Sequence, residues 1–187
     1  ALCDSALAPA DGRLYLFGGW DDQAVSAAVW AYDPAADAWS AAGSMPAAMR
    51  GASAVPLEGQ LLLIGGQDSP AVWQFDPQNA SQGQSAWKAR ADLPQARTRS
   101  AAAVLAGQVY LFGGNLKDDS PAPALQYSPA QDRWSPVEAP AGLEGGTPGL
   151  AAVETDLHLL GGLSGGQPSS SHFVSRAVYT ILVPLIP

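Results

Sequence analysis

The stretch RLYLFGGWDD, residues 13–22, decides the fold of this protein. Its four largely apolar residues Leu14, Tyr15, Leu16 and Phe17 run directly into the pair Gly18-Gly19. A short apolar run bounded by glycine is typical of a buried β-strand. The glycine pair then either serves backbone geometry, because glycine adopts positive φ without a steric penalty, or cradles an anion as glycine-rich loops do.

The same pattern occurs four times along the chain. The first glycines of the pairs fall at residues 18, 65, 113 and 161, at intervals of 47, 48 and 48, in the stretches LYLFGG, LLLIGG, VYLFGG and LHLLGG. A small, apolar run precedes each stretch. An aromatic residue and a turn follow in the first three units, and then a tryptophan at Trp39, Trp87 or Trp134. Alternation such as Trp30/Tyr32 indicates strands with two different faces, so the repeat predicts units of four short strands.

These units resemble kelch repeats, whose marks are a glycine pair after the second strand, an aromatic residue and a tryptophan, with about 50 residues per repeat. Three units carry all the marks, and the fourth has the glycines and an aromatic residue at Tyr179. The resemblance covers essentially the whole chain and implies an all-β protein, a β-propeller of four-stranded antiparallel blades. We place the approximate blades at residues 1–45, 46–93, 94–140 and 141–187, the last of them atypical. The glycine pairs are then scaffold, because neither a helix start nor the lysine of a phosphate loop follows them.

The number of blades is low for this resemblance, since propellers of the family commonly close with six or seven. We favour a chain that is part of a larger propeller, continuing through its open blade edges. The alternative is a small or open four-blade assembly that covers its edges by self-association, because exposed strand edges are prone to pairing. The apolar tract TILVPLIP at 180–187 is then a candidate covering strand.

Composition excludes several classes of partner. The net charge is −8, with nine basic residues against seventeen acidic ones, and only two of the basic residues are lysines. We therefore expect no nucleic-acid partner and no attraction to anionic membranes. The most apolar tract is too short to span a bilayer, and Pro184 interrupts it, so no membrane insertion is expected. The Ala-rich, Lys-poor composition and the resemblance favour a bacterial protein that is extracellular or at the cell surface, although the sequence leaves the location unknown.

The loops between second and third strands and the links between blades are expected on one face, where the resemblance implies that ligands bind at the channel mouth. Arg50 and Arg99 hold nearly equivalent places before the first strands of their blades. In some kelch propellers such arginines bind acidic peptides or sugar carboxylates, and a guanidinium suits bidentate contacts. The alternative is that they pair with neighbouring acids such as Asp22, Asp68 or Asp92. The candidate ligand-binding residues are Trp20, Asp22, Arg50, Asp68, Arg99 and Asn115.

Catalytic and metal chemistry find little support in the sequence. The carboxylate pairs Asp21-Asp22 and Asp118-Asp119 lack a calcium-loop spacing, so no metal site and no cofactor are expected. His158 lies at a packed strand position and His172 in a Ser-rich loop. We expect a non-catalytic binding or scaffold module for a protein segment or a glycan. The alternatives are a cofactor-free sugar isomerase similar to the sialate mutarotases, and a spacer unit.

Overall fold

The computed structural model of the protein describes residues 2–67, 69–118, 120, 122–139, 148–164 and 167–176. The structure is all-β, with 51% strand and 3% helix, as the repeat predicts. Strands are arranged in successive antiparallel sheets, which we number 1 to 4 in chain order. The sheets do not close into a ring. Tyr179 and the tract 180–187 lie outside the described residues.

The first three sheets each contain four strands in simple up-and-down order. Sheet 1 consists of β1 (Ala6–Ala10), β2 (Arg13–Phe17), β3 (Ala28–Asp33) and β4 (Ala38–Ser44). Sheet 2 consists of β5 (Ser53–Leu57), β6 (Gln60–Ile64), β7 (Val72–Phe75) and β8 (Trp87–Arg90), with the short helix α1 (Pro77–Ser81) before β8. Sheet 3 consists of β9 (Ala101–Leu105), β10 (Gln108–Phe112), β11 (Leu125–Ser128) and β12 (Arg133–Pro136). These sheets confirm the kelch-type blades that the sequence predicts.

Sheet 4 has three strands among the described residues. They are β13 (Gly149–Val153), β14 (Asp156–Leu160) and β17 (His172–Arg176), and a two-stranded ribbon of β15 (Leu163–Ser164) and β16 (Gln167–Pro168) lies between the last two. The unit boundaries, which we placed in the links between sheets, stay predictions.

Local sequence explains the turns. The first hairpin of sheets 1, 2 and 3 turns through two residues with positive φ, at Asp11-Gly12, Glu58-Gly59 and Ala106-Gly107. Two such residues form the turn whose twist matches paired strands. The helix α1 begins where the side chain of Asp76 accepts hydrogen bonds from the backbone N–H of Gln78 and Asn79, at 2.9 and 3.1 Å. This helix accounts for the longer connection between β7 and Trp87 in the second unit.

The glycine pairs act as scaffold, as the sequence analysis expects. Both members have positive φ in all four units, for example 58° and 106° at Gly18 and Gly19. A Cβ atom on Gly18 would lie closer than 3.0 Å to the carbonyl oxygen of Met49, in the link to the next sheet. That oxygen accepts a hydrogen bond of 2.8 Å from the backbone N–H of Gly19. The pair therefore lets one sheet end its second strand directly against the chain that enters the next sheet.

The sheets pack face to face in chain order. We call the face that contacts the next sheet the exit face and the face that contacts the previous sheet the entry face. The exit face of sheet 1, with Tyr15 and Phe17, packs on Leu61, Leu63 and Phe75 of sheet 2. The other face of sheet 2 packs in the same way on sheet 3, and sheet 3 packs on sheet 4. Three apolar cores therefore hold four sheets in one stack.

Candidate functional site

The links between sheets and the loops after the glycine pairs meet around one pocket. Its volume is about 330 Å³, and its polar lining includes Asp4, Arg50, Gln67, Arg99, Asn115 and Lys117. These residues come from the beginnings of sheets 1, 2 and 3 and from the loops between second and third strands. The structure therefore brings together Arg50, Arg99 and Asn115 of the predicted set.

Backbone hydrogen bonds connect, at this site, the segments that lead into sheets 1, 2 and 3. Gly51 N–H donates to the carbonyl of Asp4 at 2.7 Å, and Arg99 N–H donates to the carbonyl of Gly51 at 2.9 Å. All three residues have positive φ, at 54°, 66° and 57° in chain order. Each of them lies 14 residues before the first glycine of its own unit, at residues 18, 65 and 113. The true equivalent of Arg99 is thus Gly51.

Arg50 and Arg99 thus hold nearly equivalent places, which differ by one residue within their units. Arg50 is the equivalent of Thr98, since the carbonyl oxygens of these two residues accept from the backbone N–H of Gln67 and Asn115, at 2.9 and 3.1 Å. A one-residue difference gives the two arginines different backbone conformations. Only Arg99 occupies the left-handed region, which favours glycine.

Arg99 pairs with Asp4 rather than with the acids that the sequence suggested. Its Nη2 lies 3.3 Å from Oδ2 of Asp4, across 95 residues of sequence, and its side chain stays largely exposed. Asp92 forms no ion pair with it, and Asp68 lies outside the described residues. An exposed pair of this kind contributes little to stability, about 0–1 kcal/mol.

Arg50 contacts neutral groups. Its Nε donates to Oε1 of Gln67, and its Cζ lies 5.1 Å from the centre of the Trp20 ring. Its two Nη nitrogens have no partner among the residues that the structure describes. Trp20 thus supports the Arg50 guanidinium through a cation–π contact and does not itself line the pocket.

Asp22 lies apart from the pocket lining. It is exposed in the loop after β2, with a φ of 74°. Its neighbour Asp21 accepts hydrogen bonds from the backbone N–H of Gln23 and Ala24, at 3.0 and 2.8 Å, and these hold the pKa of Asp21 below its usual value. This half of the carboxylate pair is a turn former.

Sequence analysis missed Arg97, which also lines the pocket. Only 2% of this residue is exposed. Its Nη1 donates to the carbonyls of Pro123 and Gly113, at 2.7 and 3.5 Å, while its Nε has no hydrogen-bond partner among the described residues. Burial lowers the pKa of its guanidinium to about 10. A signal was present, because Arg97 lies 16 residues before Gly113, where the preceding unit has an apolar residue, Met49.

Comparison with known families agrees with this architecture. The kelch motif matches residues 1–46. This match supports a kelch-repeat family for the repeated sheets. A search of curated proteins found no matching relative. Kelch repeats commonly mediate protein binding.

The pocket concentrates positive charge. Four of the nine basic residues of the chain line it: Arg50, Arg97, Arg99 and Lys117. Asp4 is the single acid among the described lining residues. The rest of the chain therefore carries the whole of the excess negative charge, and the pocket is a local region of positive charge.

The two histidines of the chain lie together on sheet 4. His158 Nδ1 and His172 Nε2 are 3.0 Å apart, and the rings stack with centroids 5.3 Å apart. The expectation of a loop position for His172 is wrong, since it is the first residue of β17. Within the described ranges no three His, Cys, Asp or Glu side chains gather into a possible metal site. The same ranges contain no helix with the length and apolar character needed to cross a membrane.

Proposed function

We propose that this kelch-repeat protein is a non-catalytic binding module that recognises an acidic segment of another protein through the pocket. The observation that carries the proposal is the gathering of four basic side chains in one pocket of a chain whose net charge is −8. Such a contrast steers an anionic ligand to one place on an otherwise repelling surface.

Two arginines have guanidinium nitrogens that are available to a ligand. The Nη nitrogens of Arg50 lack described partners, and Trp20 and Gln67 fix the guanidinium in place. Arg99 is held by an exposed pair with Asp4, which a ligand carboxylate can replace at little cost. A fixed planar guanidinium binds a carboxylate through two parallel hydrogen bonds, and less entropy is lost because the side chain is already ordered.

Arg97 and Asn115 complete the site in different ways. Arg97 is buried and has no acidic partner among the described residues, so its charge adds to the positive potential of the pocket. Asn115 lines the same pocket, and its side-chain amide is able both to donate and to accept. Together they favour a ligand that combines carboxylates with peptide groups.

Binding of a fluorescein-labelled peptide rich in Glu and Asp, measured by fluorescence anisotropy, tests this proposal. We expect Arg50→Ala and Arg99→Ala each to weaken binding about tenfold or more, because each removes a charge-assisted contact. The matched control is Arg133→Ala, an exposed arginine on β12 outside the pocket. Affinity should also fall as salt rises. Unchanged affinity in both pocket variants would remove the proposal.

A carboxylate sugar carries the same charge as an acidic side chain, so sialic acid is the competitor in the same assay. If sialic acid bound and the peptide did not, the carbohydrate alternative would replace the protein ligand, and sugar isomerisation would then be assayed directly. The extracellular or cell-surface location stays a prediction, which fractionation of the producing cells would check.

A further inference from the structure

The entry face of sheet 1 is an apolar surface that spans all four of its strands. Strand register places Leu7, Leu16 and Trp30 in one row across this face, and Leu14, Tyr32 and Trp39 in the next. Leu7 is 51% exposed, Trp30 38% and Trp39 49%. Among the described residues, six of the seven exposed large hydrophobic side chains lie either on this face or on the exit face of sheet 4.

The same positions in later sheets are buried by the sheet before them. Leu14 and Leu16 correspond to Leu61 and Leu63 in sheet 2, and to Val109 and Leu111 in sheet 3, all of them almost completely buried. The entry face of sheet 1 is therefore the next member of a series of interfaces that the chain itself establishes.

The tryptophans show which contact the entry face of sheet 1 does not make among the described residues. Trp87 Nε1 donates to the carbonyl of Ser44 at 2.8 Å, and Trp134 Nε1 donates to the carbonyl of Ala91 at 2.9 Å. Each acceptor belongs to the end of the preceding unit. Trp39 holds the equivalent position, and no acceptor for its Nε1 exists in the described part of the chain.

An acidic residue near the tryptophan also forms a hydrogen bond with the end of the preceding unit. Tyr127 OH donates to Oδ1 of Asp132 at 2.6 Å, and the same oxygen accepts from the backbone N–H of Ala91, in the link before sheet 3, at 2.9 Å. Tyr32 OH donates to Oδ1 of Asp37 at the same distance, 2.6 Å. No backbone N–H of a preceding link reaches Asp37 among the described residues. Sheet 1 thus carries the same side chains that, in sheet 3, contact the end of the preceding unit.

The exit face of sheet 4 is a second exposed apolar surface, at the other end of the described stack. Val153, Leu160 and Val174 are exposed there. His158 and Leu160 occupy the positions that Tyr15 and Phe17 hold on the exit face of sheet 1. The described stack therefore presents an exposed apolar sheet face at each end, and the face on sheet 4 also carries the Asp156–Arg176 ion pair.

We propose that the entry face of sheet 1 binds the exit face of sheet 4 in a second copy of the chain, head to tail. Such contacts form a ring when the rotation between copies closes it. Two copies supply eight blades, which is within the range of about four to eight that propellers use. Three copies would exceed that range, so the expected assembly is a dimer with two identical contacts.

Sedimentation velocity of the purified chain, with circular dichroism of every variant, tests this assembly. We expect a species of twice the 19.2 kDa chain mass. Trp39→Asp and Leu160→Asp should each give a monomer with an unchanged β-sheet spectrum, since both side chains are exposed in the single chain. The control is Leu2→Asp, which introduces the same charge at an exposed apolar residue outside the sheets and should leave the dimer intact.

An equimolar mixture of Trp39→Asp and Leu160→Asp makes the test directional. One intact exit face and one intact entry face remain in that pair, so the mixture should form a dimer that neither variant forms alone. A monomeric parent chain, a dimer that survives both substitutions, or a mixture that stays monomeric would each overturn the head-to-tail arrangement. None of these outcomes depends on the anion pocket.

Discussion

Replacing Gly18 with alanine should destabilise the protein by about 3–6 kcal/mol, because three costs coincide at one position. A φ of 58° costs a residue with a Cβ about 1–2 kcal/mol. The new atom overlaps the carbonyl oxygen of Met49, and displacing a packed segment costs about 1–3 kcal/mol. The movement also weakens the 2.8 Å hydrogen bond from Gly19 to that oxygen, worth about 0.5–1.5 kcal/mol.

The matched control is Gly12→Ala. Gly12 also has positive φ, at 72°, but a Cβ atom there would meet nothing within 4 Å. It should therefore cost only the conformational penalty, about 1–2 kcal/mol. Urea unfolding followed by tryptophan fluorescence separates the two, since a difference of about 2–4 kcal/mol shifts the midpoint by roughly 1–2 M. Equal costs for the two variants would show that the glycine pair is not needed for the close approach of the next sheet.

Three further predictions concern other parts of the stack. Arg99→Gly should change the free energy of unfolding by less than about 1 kcal/mol, because relief of its strained φ of 57° offsets the loss of a surface ion pair. The same substitution should lower the affinity for the acidic peptide. A large loss of stability would contradict this expectation. Trp134→Phe should cost about 1–3 kcal/mol in urea unfolding because it leaves the Ala91 carbonyl without its donor. Trp73→Phe, its control, should be neutral or stabilising, since the Nε1 of Trp73 is buried and has no hydrogen-bond partner in the described part of the chain. Hydrogen bonds from the backbone of Ala91 and from a tyrosine hold the pKa of Asp132 below its usual value, so its contribution is present above the unfolded pKa of about 3.9 and is lost as pH falls through the folded value. Asp132→Asn should flatten the fall of the urea midpoint in acid, and an unchanged profile would refute the assignment.

Much of the fold could be predicted because its signals are local. The glycine pairs, the alternating aromatic residues and the apolar runs each act within a strand or a turn, and the sheets confirm them. Less of the site could be predicted. Arg50, Arg99 and Asn115 line one pocket as their loops suggested, while Asp22 lies away from it and the partner of Arg99 is Asp4. Loop contacts of this kind depend on where three different sheets end, and strand periodicity carries no information about that.

The sequence by itself determined that this chain repeats a four-stranded unit with glycine at each close approach, because period-2 alternation and positive φ are properties of neighbouring residues. Only the tertiary structure decided which of the repeated residues are covered. Trp39 and Trp134 occupy the same place in their units, yet Trp39 is 49% exposed and Trp134 only 8%. The physical reason is that burial of a sheet face depends on a neighbouring sheet: sheet 2 covers the entry face of sheet 3, whereas none of the described sheets covers the entry face of sheet 1.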